Sequence, residues 1–200
     1  YIINRSIRKK MTGSSVLPVT IHKGQLYFLF GKENPLEDSA KGFSDFGGGV
    51  EKGERILDTA MREGGEELTG FLGDGKQLQK HIKQRGGMLK LSEENYHMHL
   101  FYLPYDPNLP KYYNANHEFL WKRMNTQLLS KTKLFEKIEI QWFSTTMMKT
   151  RIKEFRSFYQ TNVRNLLKQE SKIKRFVRRC MNKTRRKQMS KKRRTYSRHK

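Results

Sequence analysis

The chain's order of residues predicts a mixed α/β (α+β) domain followed by a helical and strongly basic C-terminal part. Three observations carry that expectation. First, β-rich runs recur at 16–21, 25–30, 88–91, 96–103 and 138–142, with stretches of helical period between them. Second, from Thr150 onward the apolar residues Ile152, Phe155, Tyr159, Val163, Leu166, Ile173, Phe176 and Val177 keep a helical period. Third, the formal net charge of +23 is lopsided: from Lys168 to Lys200, 16 lysines and arginines stand against the single acid Glu170. The predicted organisation is a basic arm over 1–15, a compact domain over 16–150, a helix over 151–180 packing on or extending from it, and a basic tail over 181–200. The tail, without apolar residues to bury, is expected to be disordered alone.

Composition narrows the class. An apolar fraction of 35% suffices for one core if it is concentrated in part of the chain. No apolar run approaches the ~18 residues of a membrane span, and the first 15 residues hold no apolar stretch of signal-peptide length. The single Cys180 argues against a disulfide framework and fits a reducing compartment, so an intracellular location, cytoplasm or nucleus, is expected.

Taken in order, His22-Lys23-Gly24 joins the first two strands as a hairpin, and 31–42, with Pro35, Asp38 and Ser39, reads as a loop. A short strand, Phe43 to Phe46, leads into Gly47-Gly48-Gly49. Arg55 onward is helical, with Leu57, Ala60, Met61, Gly64 and Leu68 on one stripe; Gly64 implies close approach to the sheet and Gly70 a left-handed cap. Gly73-Asp74-Gly75 starts a second helix with Leu78, Ile82 and His81 turned inward, ended by Gly86-Gly87. Ser92 to Asn95 is a turn between two strands, and on the second His97 and His99 share a face. Pro104 to Asn116 reads as a loop carrying Tyr112 and Tyr113, whose rings are candidates for stacking a base. Glu118 to Leu129 is helical, and Ile138, Ile140 and Trp142 mark a strand with one buried face. Glu136 and Glu139 are candidates for a further acid near a metal site.

The chemistry concentrates in the helix after the glycines. At 3.6 residues per turn Glu63, Glu66 and Glu67 share one side, opposite the apolar stripe. As plain structure this is unfavourable, because like charges three or four residues apart repel and carboxylates at a helix C-terminus oppose its dipole. A divalent cation such as Mg²⁺ removes the penalty, taking carboxylate oxygens and sharing its shell with water and substrate phosphate.

The spacing Gly48, Glu54, Arg62-Glu63, Glu66-Glu67 resembles the Nudix box. Six such fixed matches in a chain of this length arise by chance on the order of 10⁻⁵ of the time. Two departures stand out: Gly64 where the family has an aliphatic residue, and Thr69 where it has glycine. The resemblance implies an αβα sandwich on a mixed sheet and hydrolysis of a nucleoside diphosphate linked to another moiety, with Mg²⁺ or Mn²⁺. It further implies that Glu63, Glu66 and Glu67 hold metal together with the Gly48 carbonyl, and that Glu54 pairs with Arg62 as a brace; Arg62 also reaches Glu66 and orients it. A pyrophosphate is anionic, so attack by water needs cations to neutralise charge on the phosphorus oxygens.

Two functions from different classes are compatible with these residues. One is a metal-dependent pyrophosphatase of this type, with capped RNA the leading substrate because a basic segment gathers polyanions and viral members of the family include decapping enzymes. Small nucleotides and diphosphoinositol phosphates are alternatives. The other is an RNA- or DNA-binding module with a vestigial box, contacting phosphates through Lys183, Arg185, Arg186, Lys187, Lys191, Lys192, Arg193 and Arg194. His97, His99, Tyr112, Tyr113, Glu136 and Glu139 are the further candidates for substrate contact.

Overall fold

The computed structural model describes residues 12–35, 41–125, 127–128 and 136–197. Among the described residues seven strands form one mixed sheet: β1 (Gly13–His22), β2 (Gln25–Glu33), β3 (Phe43–Ser44), β4 (Phe46–Gly49), β5 (Met88–Glu93), β6 (Tyr96–Tyr102) and β7 (Lys137–Ser144). The path runs β3-β2-β1-β6-β5, with β4 also on β1 and β7 also on β2. Only β1 and β6 pair in parallel among these.

The edge of β1 facing β2 is forked. Val19 to His22 pair with β2, whereas Gly13 to Val16 pair with Gly49 to Phe46 of β4. β2 diverges to meet β7, and the glycine strand fills the gap. The cause is local. Lys23 and Gly24 take positive φ (47° and 80°), making a two-residue turn that sets the β1–β2 register. At the far end β4 lies close because a Cβ on Gly47 would sit 2.3 Å from that of Ser15.

Helices cover both faces. α1 (Ile56–Glu67), α2 (Gly75–Gln84) and α3 (Asn108–Trp121) lie on one, where Val16, Leu29, Phe46, Phe101, Ile140 and Trp142 meet Ala60, Met61, Leu78, Ile82 and Tyr113. On the other, Leu17, Val19, Phe28, Phe30 and Phe143 meet Met148 of α4 (Thr145–Thr150), Tyr159, Val163 of α5 (Gln160–Lys168), and Ile173 and Val177 of α6 (Glu170–Ser197). Each such side chain contributes about 1.5–3 kcal/mol on burial. The αβα arrangement on a mixed sheet is thus the one expected.

Several elements differ from expectation. β1 begins at Gly13, inside the segment read as an arm; residues 1–11 lie outside the described set. β2 runs on through Glu33 rather than ending in a loop. Tyr112 and Tyr113 lie on α3, not on a loop, because Pro107 is its N-cap and Pro110 sits in its first turn, where no intrahelical N–H is required. The same helix ends at Trp121 instead of running over 118–129. β7 is buried on both faces, since Phe143 packs on the α5–α6 side while Trp142 packs on the other. Residues 152–159 form two short 3-10 turns, so regular helix starts only at Gln160 and breaks at Gln169. His81 is exposed on α2, whereas Leu78 and Ile82 are buried as expected. α6 continues to Ser197 through the segment expected to be disordered. Packing of Ile173, Phe176, Val177 and Cys180 nucleates that helix, and straight-chain Lys, Arg, Gln and Met extend it. Among the described residues no helix is long and apolar enough to cross a membrane.

Candidate active site

α1 is pressed onto β1 and β4 by its two glycines. A Cβ on Gly64 would lie 2.4 Å from Val16 Cγ2, and one on Gly65 would lie 3.0 Å from the Gly75 nitrogen at the start of α2. α2 is itself anchored by a capping box in which Asp74 accepts from the Gln77 N–H while the Gln77 side chain accepts from Asp74 N–H. The close approach carries the carboxylates of α1 to the backbone of Gly47–Gly49. Gly48 lies under the Glu63 carboxyl: a Cβ there would fall 2.5 Å from Glu63 Oε1 and displace that carboxyl.

Arg62 organises the acidic residues. Its Nε and Nη2 each donate at 3.1 Å to one oxygen of Glu54, a two-pronged grip that holds the Glu54 carboxyl down at about 2. The remaining nitrogen, Nη1, donates to Glu63 Oε1 at 2.8 Å and to Glu66 Oε2 at 3.4 Å. Glu51 lies 3.6 Å from Nη2. The Thr59 hydroxyl adds a 2.7 Å bond to Glu54. One cationic group thus grips Glu54 and spans Glu63 and Glu66.

Glu67 differs. It is buried, accepts from the Gly47 N–H at 2.6 Å, and lies 3.1 Å from Nζ of Lys137. Burial pushes its carboxyl up to about 8, opposed by Lys137 and reinforced by Glu33 and, more weakly, Glu136. Lys137 is wholly buried yet its ammonium is held above the ordinary value, because the pull of Glu67 and Glu33 exceeds the cost of burial. Glu33 in turn pairs with both Lys137 and Arg156. The result is a buried line of paired groups, Glu67–Lys137–Glu33–Arg156. The three box carboxylates do not form one cage: Glu63 and Glu66 are joined by Arg62 and Glu67 by Lys137. Among the described residues no three acidic, imidazole or thiol groups converge on a point.

A hard divalent cation nevertheless fits part of this donor set. Mg²⁺ takes one or two carboxylates with the rest of its shell from water and phosphate. Glu63 and Glu66 are two carboxylates that share one guanidinium nitrogen, and Glu63 lies against Gly48.

The other candidate residues scatter. His97 pairs with the Ser92 hydroxyl at 2.9 Å, and His99 donates from Nδ1 to the Ser15 carbonyl at 3.0 Å; burial lowers both imidazoles. Both bonds stay within the sheet. Tyr113 is in the core, its hydroxyl shared between the carbonyls of Glu67 (3.2 Å) and Lys137 (3.3 Å), so it ties α1 to β7 instead of stacking a base. Tyr112 is exposed. Glu139 pairs with Lys32 at 3.3 Å. Sequence reasoning missed Lys137 and Glu33, which flank the site from strands 104 positions apart. It also missed buried Asp45, which accepts from Ser15 (2.5 Å) and Tyr96 (2.6 Å) and whose carboxyl is raised by burial.

No family model and no curated protein matches the chain. Among solved structures, it is similar to a C. elegans Ap4A hydrolase in a binary complex, with TM-score 0.41 and 14% identity over 77% of this chain and 93% of that one. It is also similar to a NUDIX hydrolase from Nitrosomonas europaea, with TM-score 0.35 and 15% identity over 77% of this chain and 86% of that one. Likeness at these scores decides neither fold nor activity.

Proposed function

We propose that the chain is a Nudix-type pyrophosphohydrolase that cleaves a diphosphate bond in a nucleoside diphosphate linked to another moiety. The observation that carries this reading is the Arg62 guanidinium, which grips Glu54 with two N–H groups while its third nitrogen spans Glu63 and Glu66 beside Gly48. Those are the positions to which the box resemblance assigns brace and metal ligands. Glu63, Glu66 and the Gly48 carbonyl would hold Mg²⁺ or Mn²⁺. When bound, such a cation neutralises charge on the phosphorus oxygens and acidifies water. Arg62 turns two carboxylates the same way, and Glu54 fixes Arg62 against the loop before α1. Gly47 and Lys137 hold Glu67 beneath them.

Capped RNA is the leading substrate. Supporting it, Lys183, Arg185, Arg186 and Lys187 are exposed along α6, a surface suited to phosphate contact. Lys191, Lys192, Arg193 and Arg194 continue the helix backbone, with their side chains outside the described set. The same surface favours a second reading, a nucleic-acid-binding module with a vestigial site.

The test is Mg²⁺-dependent turnover on capped RNA, nucleoside triphosphates, nucleotide sugars, dinucleoside polyphosphates and inositol pyrophosphates. Glu63→Gln and Glu66→Gln are each expected to abolish it while circular dichroism stays unchanged. Wild-type turnover in either variant rejects the enzyme. Removal of 181–200 is expected to weaken turnover of capped RNA in a salt-dependent way while leaving small substrates unaffected; an equal effect on both rejects capped RNA.

A further inference from the structure

A cavity of about 560 Å³ opens over β4, within the range of roughly 300–1,000 Å³ that small ligands occupy. Its floor is the backbone of Gly47–Gly49, the same strand that receives Glu63 and Glu67 from α1. Its walls come from the β5–β6 turn and, in the C-terminal part of the chain, from Arg156, Phe158, Thr161 and Asn162.

We propose that this cavity holds the base of a nucleotide whose phosphates lie over β4, with Phe158 as the stacking surface. The proposal rests on the pyrophosphohydrolase reading and adds to it where the nucleoside sits. Phe158 lines the cavity with 55% of its surface exposed, so its ring is open to a second ring. The Arg156 guanidinium stands 4.7 Å from its centroid, and such arginine–aromatic layers stack further planar rings. The electrostatics select a base over a phosphate. Glu93 and Glu94 line the cavity, while Arg156, the one guanidinium among the described residues of its wall, is already paired with Glu33. A phosphate chain is repelled there, and a ring carrying N–H donors is not. Asn162, largely buried yet in the wall, supplies an amide to the edge of such a ring. Finally, the line Arg156–Glu33–Lys137–Glu67 joins the cavity wall to α1 through buried ion pairs, so the cavity and the acidic helix are rigidly related.

The experiment is an NMR-detected titration of the full chain in EDTA, where no turnover occurs, with guanosine 5′-monophosphate, adenosine 5′-monophosphate and, as the baseless control, ribose 5-phosphate. At least one nucleotide is expected to bind about tenfold or more tightly than ribose 5-phosphate. Phe158→Ala, at an exposed position that leaves the fold intact, is expected to remove that preference and Phe158→Trp to keep it. The proposal is overturned if neither nucleotide binds, if ribose 5-phosphate binds equally well, or if Phe158→Ala retains the preference. Failure here with Glu66-dependent turnover intact removes the cavity assignment alone; base preference in a chain that hydrolyses nothing supports the cavity and removes the hydrolase.

Discussion

Nζ of Lys137 lies 3.1 Å from Oε1 of Glu67, with the lysine side chain 0% and the glutamate 6% exposed. A charge so placed is tolerated only because Glu33 and the Ser44 hydroxyl complete its surroundings. Removing the ammonium strands two buried carboxylates. Lys137→Met is therefore expected to lower unfolding free energy by about 3–5 kcal/mol in urea. Adding Glu33→Gln and Glu67→Gln should recover part of it. A loss below about 1 kcal/mol in the single variant means the carboxylates are not held by Lys137.

Gly64 sets two effects against each other. Alanine is favoured over glycine in a helix by about 1 kcal/mol. Its methyl group, however, would meet Val16 Cγ2 at 2.4 Å, and overpacking costs about 1–3 kcal/mol. Packing should win, so Gly64→Ala is expected to be destabilising. Val16→Ala in the same chain should reverse the sign of the Gly64→Ala effect, as read by a double-mutant cycle; additive losses contradict the close approach.

The Arg62 grip predicts a pH dependence. Glu54 is held at about 2 in the folded chain, below its ordinary 4.5. A depressed carboxyl contributes stability that is complete above about 4.5 and is lost as pH falls from there toward 2. The stability difference between wild type and Glu54→Gln should shrink over that window. A difference independent of pH removes the brace from the account.

Thr69 takes φ 51°, a left-handed conformation that a β-branched residue adopts only under constraint, at the position where the Nudix pattern carries glycine. Thr69→Gly relieves the strain and forfeits one 3.3 Å contact between the threonine hydroxyl and Tyr113. The expected net effect is a gain of about 0.5–1 kcal/mol, observable as a raised Tm. A lowered Tm shows that the contact outweighs the strain.

How much of this was legible follows the range of each interaction. The β1–β2 hairpin was, because Lys23-Gly24 and its flanking strands are neighbours in the chain. The α1 stripe and the Asp74 start of α2 were legible for the same reason, since they turn on spacings of a few residues, whereas the Glu54–Arg62 pair followed only from the resemblance to the Nudix box. α3 was not, because three prolines in a row of turn-like residues hide a helix whose first turn accommodates one of them. The strand His97 and His99 share was identified, but their bonds to Ser92 and Ser15 depend on which strand lies alongside.

The order of residues alone determined a mixed α/β chain, an acidic helix behind a run of glycines, and a basic C-terminal end. Helical and strand periods, and a carboxylate–arginine spacing within one helix, are local properties that need no knowledge of neighbours. Only the tertiary structure decided that Glu67 faces a buried lysine instead of joining Glu63 and Glu66, and that the C-terminal segment walls a cavity against Gly47–Gly49. The reason is distance along the chain: Glu33 and Lys137 are 104 residues apart, and only the forked sheet, by sending β2 across to β7, closes that gap.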